Sequence, residues 1–460
     1  MRKRILTVIE QKSDKEVYPV KKYYCLMLSL LLILASYCQV IAEEVSCTIT
    51  LHYGLEGYAD ETISVQLGTK MNKALTNKDF QQVSRTPYGY DFDTWYYDAE
   101  LTRVYNKQDI VESDLDLYAG WTPWDSDRKE MLDAWVREMD LCKELLNYMP
   151  MYTPESFWPY HQALFMGWNG IRKASWERIE ELQALRASLV QVHEKEEVIW
   201  EIWGDQIPQE DASGYSFWLL QDSAEFRPVL AAFLLDDQTQ VKGNIIICPG
   251  GGFEHRSNDA EGYPTAEHMN ALGYNCFVLQ YRLQPYVQMD AFLDLQRAIR
   301  YVRYNAKEKG IAYPDRIATI GYSAGSFVVL GQIAYCYGDV QPNAFYPDYV
   351  PDEVDALNSD VLAAGPIYGP HTERLQAVLD TKNSAIPPMF IAVGTKDSMC
   401  DGVVQGFLTL KDITECELHV YNGAPHAFGM ADKYTGADQI DEEFDAFLEV
   451  YFGLKPRIAP

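Results

Sequence analysis

Three textures of apolar and polar residues follow one another along the chain. From Val45 to about Pro123 they alternate in short runs such as Cys47–Tyr53 and Thr62–Leu67. A period of two puts every second side chain on one face of a strand, so this stretch predicts half-buried strands. In the next stretch Met131, Trp135, Met139, Cys142, Leu145 and Met149 recur every three or four residues until Pro150. That spacing predicts an amphipathic helix, with Asp125-Ser126-Asp127 offering N-cap chemistry ahead of it. Thr153-Pro154-Glu155 opens a second helix with proline at its first position, and Trp176, Ile179, Leu182, Leu185 and Leu189 define a third. From about Val198 to Leu454 short apolar runs alternate with helical stretches, which predicts a mostly parallel sheet covered on both faces. Strands are expected over 244–248, 275–281, 317–320, 361–364, 389–393 and 418–421, with a helix presenting Phe292, Leu295, Ile299 and Val302 between the second and third. The expected class is α/β, preceded by a small β domain (45–123) and a three-helix segment (125–193).

Length and charge narrow the possibilities. A chain of 460 residues exceeds one ordinary domain, so two to four units are expected. The formal charge of −28 disfavours nucleic acid and anionic membranes as partners. At the N-terminus Lys21 and Lys22 precede the apolar stretch Cys25–Ala35, and Val40-Ile41-Ala42 follows. Basic region, short apolar core and small terminal residue predict a secretory signal over 1–42, cleaved after Ala42. An uncleaved anchor is the weaker reading, because the apolar core is shorter than a spanning helix. Secretion or cell-surface display is therefore expected. Tyr37 ahead of Cys38 is too bulky for a lipoprotein cleavage site. Of nine cysteines, Cys25 and Cys38 fall in this leader and the other seven lack C-x-x-C spacing. Neither a disulfide framework nor a zinc site is implied, and no metal or cofactor is expected. Cys248 and Cys276 read as small core residues.

One pentapeptide organises the chemistry. Gly321-Tyr322-Ser323-Ala324-Gly325 lies between the apolar run Arg316–Ile320 and the helix-competent run Ser326–Leu330. Serine between two glycines can occupy a sharp strand-to-helix turn with its hydroxyl projecting above a sheet. Acyl transfer to serine also needs a base, a carboxylate to orient that base, and donors for the oxyanion. His426, in the turn-rich Gly423–Gly429 after an expected strand, is the base favoured among eight histidines. His419 lies mid-strand and reads as structural, and nothing ties His255 or His268 to the site. Asp397 follows the strand 389–393 and so belongs at the carboxyl end of the sheet, where ligand crevices form. Asp401 is the alternative orienting acid. Serine, aspartate, histidine is the triad order of α/β hydrolases. Cys248-Pro249-Gly250-Gly251-Gly252-Phe253, after the first strong strand, suggests the oxyanion loop, since consecutive glycines let backbone amides face a substrate oxygen. No G-K-[ST] follows these glycines, so a phosphate loop is disfavoured.

These blocks carry a resemblance. With Pro249–Gly252, Glu261–Ala266, Val278–Leu283, Tyr322–Gly325 and Pro425-His426, residues 198–454 resemble the α/β-hydrolase carbohydrate esterases of the acetylxylan and feruloyl esterase type, in the hormone-sensitive-lipase-like group. The resemblance implies Ser323, Asp397 and His426 as triad, and Gly251, Gly252 and Ala324 as backbone donors. It further implies a secreted serine esterase that removes acetyl, or else feruloyl, groups from plant polysaccharide. Pro249 departs from lipase-type relatives, which carry histidine ahead of the glycines. A serine peptidase or lipase of the same fold is the alternative enzyme, and a surface adhesion protein with a silent hydrolase domain is the alternative of a different class. Gly89–Asp98 followed by Asp114–Trp121 resembles the internalin-type B repeat, which implies a β-grasp-like domain for spacing or cell-surface adhesion. Tyr152–Ser156 followed by Gln162-Ala163-Leu164 is similar to the helical FIVAR modules of extracellular bacterial proteins.

Overall fold

The structure is a computed structural model that describes residues 46–55, 59–75, 89–167, 174–209, 222, 225–369, 378, 380, 386–430 and 437–457. The expected leader over 1–42 lies outside the described residues. Two compact units result, one ending at Pro123 and one comprising the chain from Trp124 onward.

The first unit is a four-stranded sheet of β1 (Ser46–His52), β2 (Glu61–Gln66), β3 (Tyr90–Tyr96) and β4 (Leu115–Pro123), with the single turn α1 (Met71–Ala74) between β2 and β3. The strand order is β2-β1-β4-β3, with β1 and β4 parallel in the middle and the outer pairs antiparallel. Alternate positions Cys47, Ile49 and Leu51 turn inward onto Trp95, Phe92 and Leu117, as the period of two requires. Trp121 closes this core by donating its indole N–H to the carbonyl of Tyr53 at 2.7 Å.

The second unit begins with α2 (Ser126–Leu145), α3 (Pro154–Gly167), α4 (Trp176–Ala187) and the short α5 (Lys195–Val198). Asp125 caps α2 by accepting from the Arg128 amide at 2.7 Å. Met131, Trp135, Met139 and Cys142 face Tyr160, Leu164, Ile179 and Leu182 in a core of their own. Arg186 of α4 reaches the buried Glu138 of α2 at 2.9 Å. Trp176 differs from expectation: at the first position of α4 it lies ahead of the packed turns and is exposed. These helices also share the principal core. Tyr148, Met149, Met151 and Phe157 pack with the residues of the large sheet, and Tyr263 donates its hydroxyl to the carbonyl of Leu146 at 2.7 Å.

The rest of this unit is β5 (Ile199–Glu201), β6 (Val229–Phe233), β7 (Gly243–Cys248), α6 (Tyr263–Ala271), β8 (Tyr274–Gln280), α7 (Gln288–Lys309), β9 (Ile317–Tyr322), α8 (Ala324–Tyr335), β10 (Ala363–Ile367), β11 (Met389–Gly394), α9 (Cys400–Leu410), β12 (Cys416–Tyr421) and α10 (Ile440–Tyr451). Its eight strands run in the order β5-β6-β8-β7-β9-β10-β11-β12. From β8 to β12 all pairs are parallel, while β5, β6 and β8 pair antiparallel. β7, β8, β9 and β11 are buried along their whole length, which is why they read as continuous apolar runs rather than alternating ones. The sheet is α/β, as expected, with helices following its parallel strands.

Candidate active site

β9 delivers Ser323 into a sharp turn before α8. The residue is held at φ 47°, ψ −114°, a left-handed backbone that non-glycine residues rarely adopt. Its amide donates to the Ile367 carbonyl of β10 at 3.0 Å, which ties the strained residue to the neighbouring strand. Strain at such a position persists only where the surroundings over-determine it. Gly325 permits the turn, since a Cβ there would run into the Cys248 carbonyl at the end of β7. Ala324 follows as the first residue of α8, where amides have no intrahelical acceptor and point outward.

Two other strand ends converge on the serine. β11 runs through Thr395 and Lys396 to Asp397, and β12 runs into the loop that bears His426. The two loops are stitched together: Lys396 donates to the Ala424 carbonyl at 3.0 Å, Thr395 to the Tyr421 carbonyl at 2.9 Å, and the Gly423 amide to Thr395 Oγ1 at 2.8 Å. The result is a continuous relay. Ser323 Oγ lies 2.9 Å from His426 Nε2, and His426 Nδ1 lies 2.8 Å from Asp397 Oδ2. A carboxylate can only accept, so Asp397 keeps the ring proton on Nδ1 and turns the Nε2 lone pair toward the serine hydroxyl. The carboxylate is itself enclosed, and its Oδ1 accepts the Met399 amide at 2.8 Å. His426, by contrast, keeps 38% of its side chain exposed, so the reacting end of the relay opens to solvent.

The glycine loop follows β7 beside the same serine. Gly251 and Gly252 take φ values of 116° and 67°. A side chain at Gly251 would strike the His255 backbone, whereas Gly252 faces open space. The loop, through Gly250, and the Ala324 amide at the head of α8 both lie next to Ser323. Of the other acids and histidines weighed from sequence, Asp401 lies exposed in the first turn of α9 and makes no contact with His426 among the interactions described. His419 stacks on Phe390, with ring centroids 4.3 Å apart, and lies between Glu417 and Glu443. His268 pairs with Asp441 at 3.0 Å.

Two further residues belong to this site: Glu261, which opens one of the blocks that carry the resemblance but had no role assigned to it, and Tyr368, which no motif in the sequence singles out. Glu261 is buried beneath the glycine loop and accepts the Gly250 amide at 2.6 Å. Tyr368, just past the end of β10 and at φ 35°, donates its hydroxyl to the other oxygen of Glu261 at 2.6 Å and sets its ring edge-on to His426 at 5.0 Å. Tyr368 follows a sheet strand at its carboxyl end, which is the one cue that could have marked it.

The Ser323 turn after the fifth strand of an eight-stranded sheet, the glycine loop after the third, and the Asp397 and His426 loops after later strands decide the fold. The second unit has the α/β-hydrolase fold. Parts of the chain are similar to known proteins. The BD-FAE family model matches residues 233–336, which span the glycine loop and the nucleophile turn of the hydrolase. An acetylxylan esterase of Xylanibacter ruminicola is 27% identical over 219 residues, 45% of this chain and 45% of that protein. Esterase LipQ of Mycobacterium tuberculosis is 29% identical over 249 residues, 46% of this chain and 56% of that protein. The chain thus spans about half the length of the curated relatives it matches. Among solved structures, an acetyl ester-xyloside bifunctional hydrolase from Caldicellulosiruptor lactoaceticus superposes with a TM-score of 0.45 at 24% identity, covering 55% of this chain and 95% of that one. Esterase 2 of Thermogutta terrifontis in its propionate-bound form gives a TM-score of 0.40 at 23% identity, covering 51% of this chain and 93% of that one.

Proposed function

We propose that the protein is a secreted serine esterase that removes acyl groups, foremost acetyl, from plant polysaccharide. The observation that carries this is the relay from Ser323 through His426 to Asp397, with hydrogen bonds of 2.9 and 2.8 Å beside a glycine loop. In the first half-reaction His426 Nε2 takes the Ser323 proton as Oγ attacks the ester carbonyl. The oxyanion that forms accepts hydrogen bonds from the amides of Ala324, Gly251 and Gly252, each worth roughly 100- to 1000-fold in rate. Collapse expels the sugar alkoxide, which takes the proton from His426 and leaves an acyl-Ser323. Water then attacks the acyl group with the same histidine as base. Asp397 holds the imidazolium in place and stays ionised throughout.

The sugar ester is the finer part of the reading. It is supported by the BD-FAE match, by the relative named acetylxylan esterase, and by the exposure of His426, which suits an acyl group attached to a bulky polymer. Secretion rests on the basic and apolar leader, and a spacing or adhesive role for the N-terminal unit rests on its likeness to B repeats. The test uses the purified full chain on 4-nitrophenyl acetate and on acetylated xylan, alongside Ser323→Ala. Turnover of both esters is expected, with kcat in the variant lower by about six orders of magnitude. Unchanged hydrolysis by Ser323→Ala overturns the mechanism, and turnover of the small ester without release of acetate from xylan overturns the substrate class.

A further inference from the structure

The relay and the glycine donors leave one acid of the site without a task. Glu261 is 1% exposed, yet no lysine or arginine pairs with it among the interactions described. Its two oxygens serve different loops. Oε2 accepts the Gly250 amide and Oε1 accepts the Tyr368 hydroxyl, each at 2.6 Å. Gly250 leads directly into the two glycines that face the oxyanion, and a Cβ on it would lie 2.7 Å from Glu261 Oε2 and 3.0 Å from Ser323 Cβ. Tyr368 extends the connection to the opposite side. Its ring meets Phe428 edge-on at 4.8 Å and His426 at 5.0 Å, and its oxygen accepts the Gly429 amide at 3.3 Å. One carboxylate therefore spans from the oxyanion loop to the loop that bears the base.

We propose that Glu261 is a positioning residue for the esterase reaction, which in its ionised form holds the Gly250–Gly252 loop and the His426 loop in a common register. This rests on the esterase reading above. The charge state matters because both neighbours present protons. The Gly250 amide can only donate, and the Tyr368 oxygen already accepts from Gly429, so an ionised carboxylate satisfies both while a protonated one sets its own hydrogen against one of them. Burial pushes the Glu261 carboxyl up to about 7, against the opposing pull of Tyr368, Gly250 and the charge on His426. The ionisable groups around it are Tyr368 after β10, His426 after β12, Asp259 one half-turn earlier in its own segment, and Tyr281 and Tyr322 at the ends of β8 and β9. Burial raises all three phenols, so they remain neutral and add no negative charge beside the carboxylate.

The experiment measures kcat and KM for 4-nitrophenyl acetate between pH 5 and 9 with the full chain, Glu261→Gln and Tyr368→Phe, with thermal unfolding of each. Glutamine keeps the shape but turns an NH2 toward one of the two donors. Misplacing a reacting group by about 1 Å costs on the order of 100-fold. The expected result for Glu261→Gln is a kcat lower by roughly 10- to 100-fold at pH 8, with KM within about twofold and an acid limb of kcat/KM that reports one proton fewer. Tyr368→Phe keeps the carboxylate, so it lowers kcat by less and leaves the number of protons in that limb unchanged. Wild-type kcat and an unaltered acid limb in Glu261→Gln overturn the inference, as does a change confined to melting temperature. Should Glu261→Gln fail to fold, wild-type kcat and pH profile in Tyr368→Phe overturn it equally. Absence of turnover in the unmodified chain counts instead against the esterase reading itself.

Discussion

Starting the chain at Glu194 would remove α2, α3, α4 and the turn Met149–Met151 while leaving every strand of the large sheet. It would also strip part of the principal core. Tyr148, Met149, Met151 and Phe157 are buried together with Trp200, Leu230 and Tyr263, and the turn packs directly against β6. At about 1.5–3 kcal/mol for each fully buried apolar side chain, their loss amounts to roughly 6–12 kcal/mol, an upper bound because an unfolded chain already hides some surface. Tyr263 also forfeits the Leu146 carbonyl, a hydrogen bond worth about 1 kcal/mol. A domain of ordinary stability holds only about 5–15 kcal/mol in total. The shortened hydrolase is therefore expected to be unfolded or marginal. Circular dichroism melts and 4-nitrophenyl acetate hydrolysis on chains beginning at Trp124 and at Glu194 provide the comparison. With about 2–4 °C per kcal/mol for a unit of this size, and the burial term cut by about 40% for residual structure in the unfolded chain, the shorter chain should melt at least about 7 °C lower and lose activity. A melting temperature within 2 or 3 °C of the longer chain, with full turnover, would refute the reasoning and make the helices a dispensable spacer. Phe157→Ala in the intact chain offers a finer check, at about 3–5 kcal/mol.

Two further outcomes can be checked in the same assays. Asp397→Asn should lower kcat by about 10,000-fold because the amide no longer holds the proton on Nδ1 of His426, whereas Asp401→Asn, on the exposed first turn of α9, should leave kcat unchanged; the reverse pattern would move the orienting role to Asp401. Gly325→Ala should destabilise the fold and abolish turnover, since the added methyl meets the Cys248 carbonyl and the Ser323 turn cannot keep its shape; an active, equally stable variant would show that β7 can yield there.

The site's strand-end residues were legible because each follows an apolar run that could only be a buried strand. β7 and β11 begin within a residue of their expected positions for that reason. β5 and β6 escaped notice: three residues are too few to show a period, and the run Val229-Leu230-Ala231-Ala232-Phe233, with its two alanines, suits a buried helical turn as well as a strand. Glu261 illustrates a deeper limit. Among 67 acidic residues nothing local marks this one for enclosure, because burial of a carboxylate is decided by what packs around it. The helical segment teaches the same lesson about apolar faces. Its spacing announced that Met149 needed cover but not that the core of the large sheet would supply it.

The pairing of β1 with β4 in the first unit has a mechanical consequence. These strands run parallel, with Ile49 beside Leu115 and His52 beside Tyr118, so the chain enters at one end of the pair and leaves at the other. At about 3.3 Å per residue the two exits lie roughly 35 Å apart along the strand direction. Tension applied through the two ends would load the hydrogen bonds between β1 and β4 in shear, all together, rather than peel them one at a time. Such a unit resists extension by concentrating the load on its central pair, so its rupture force should greatly exceed that of an antiparallel hairpin pulled from its open end.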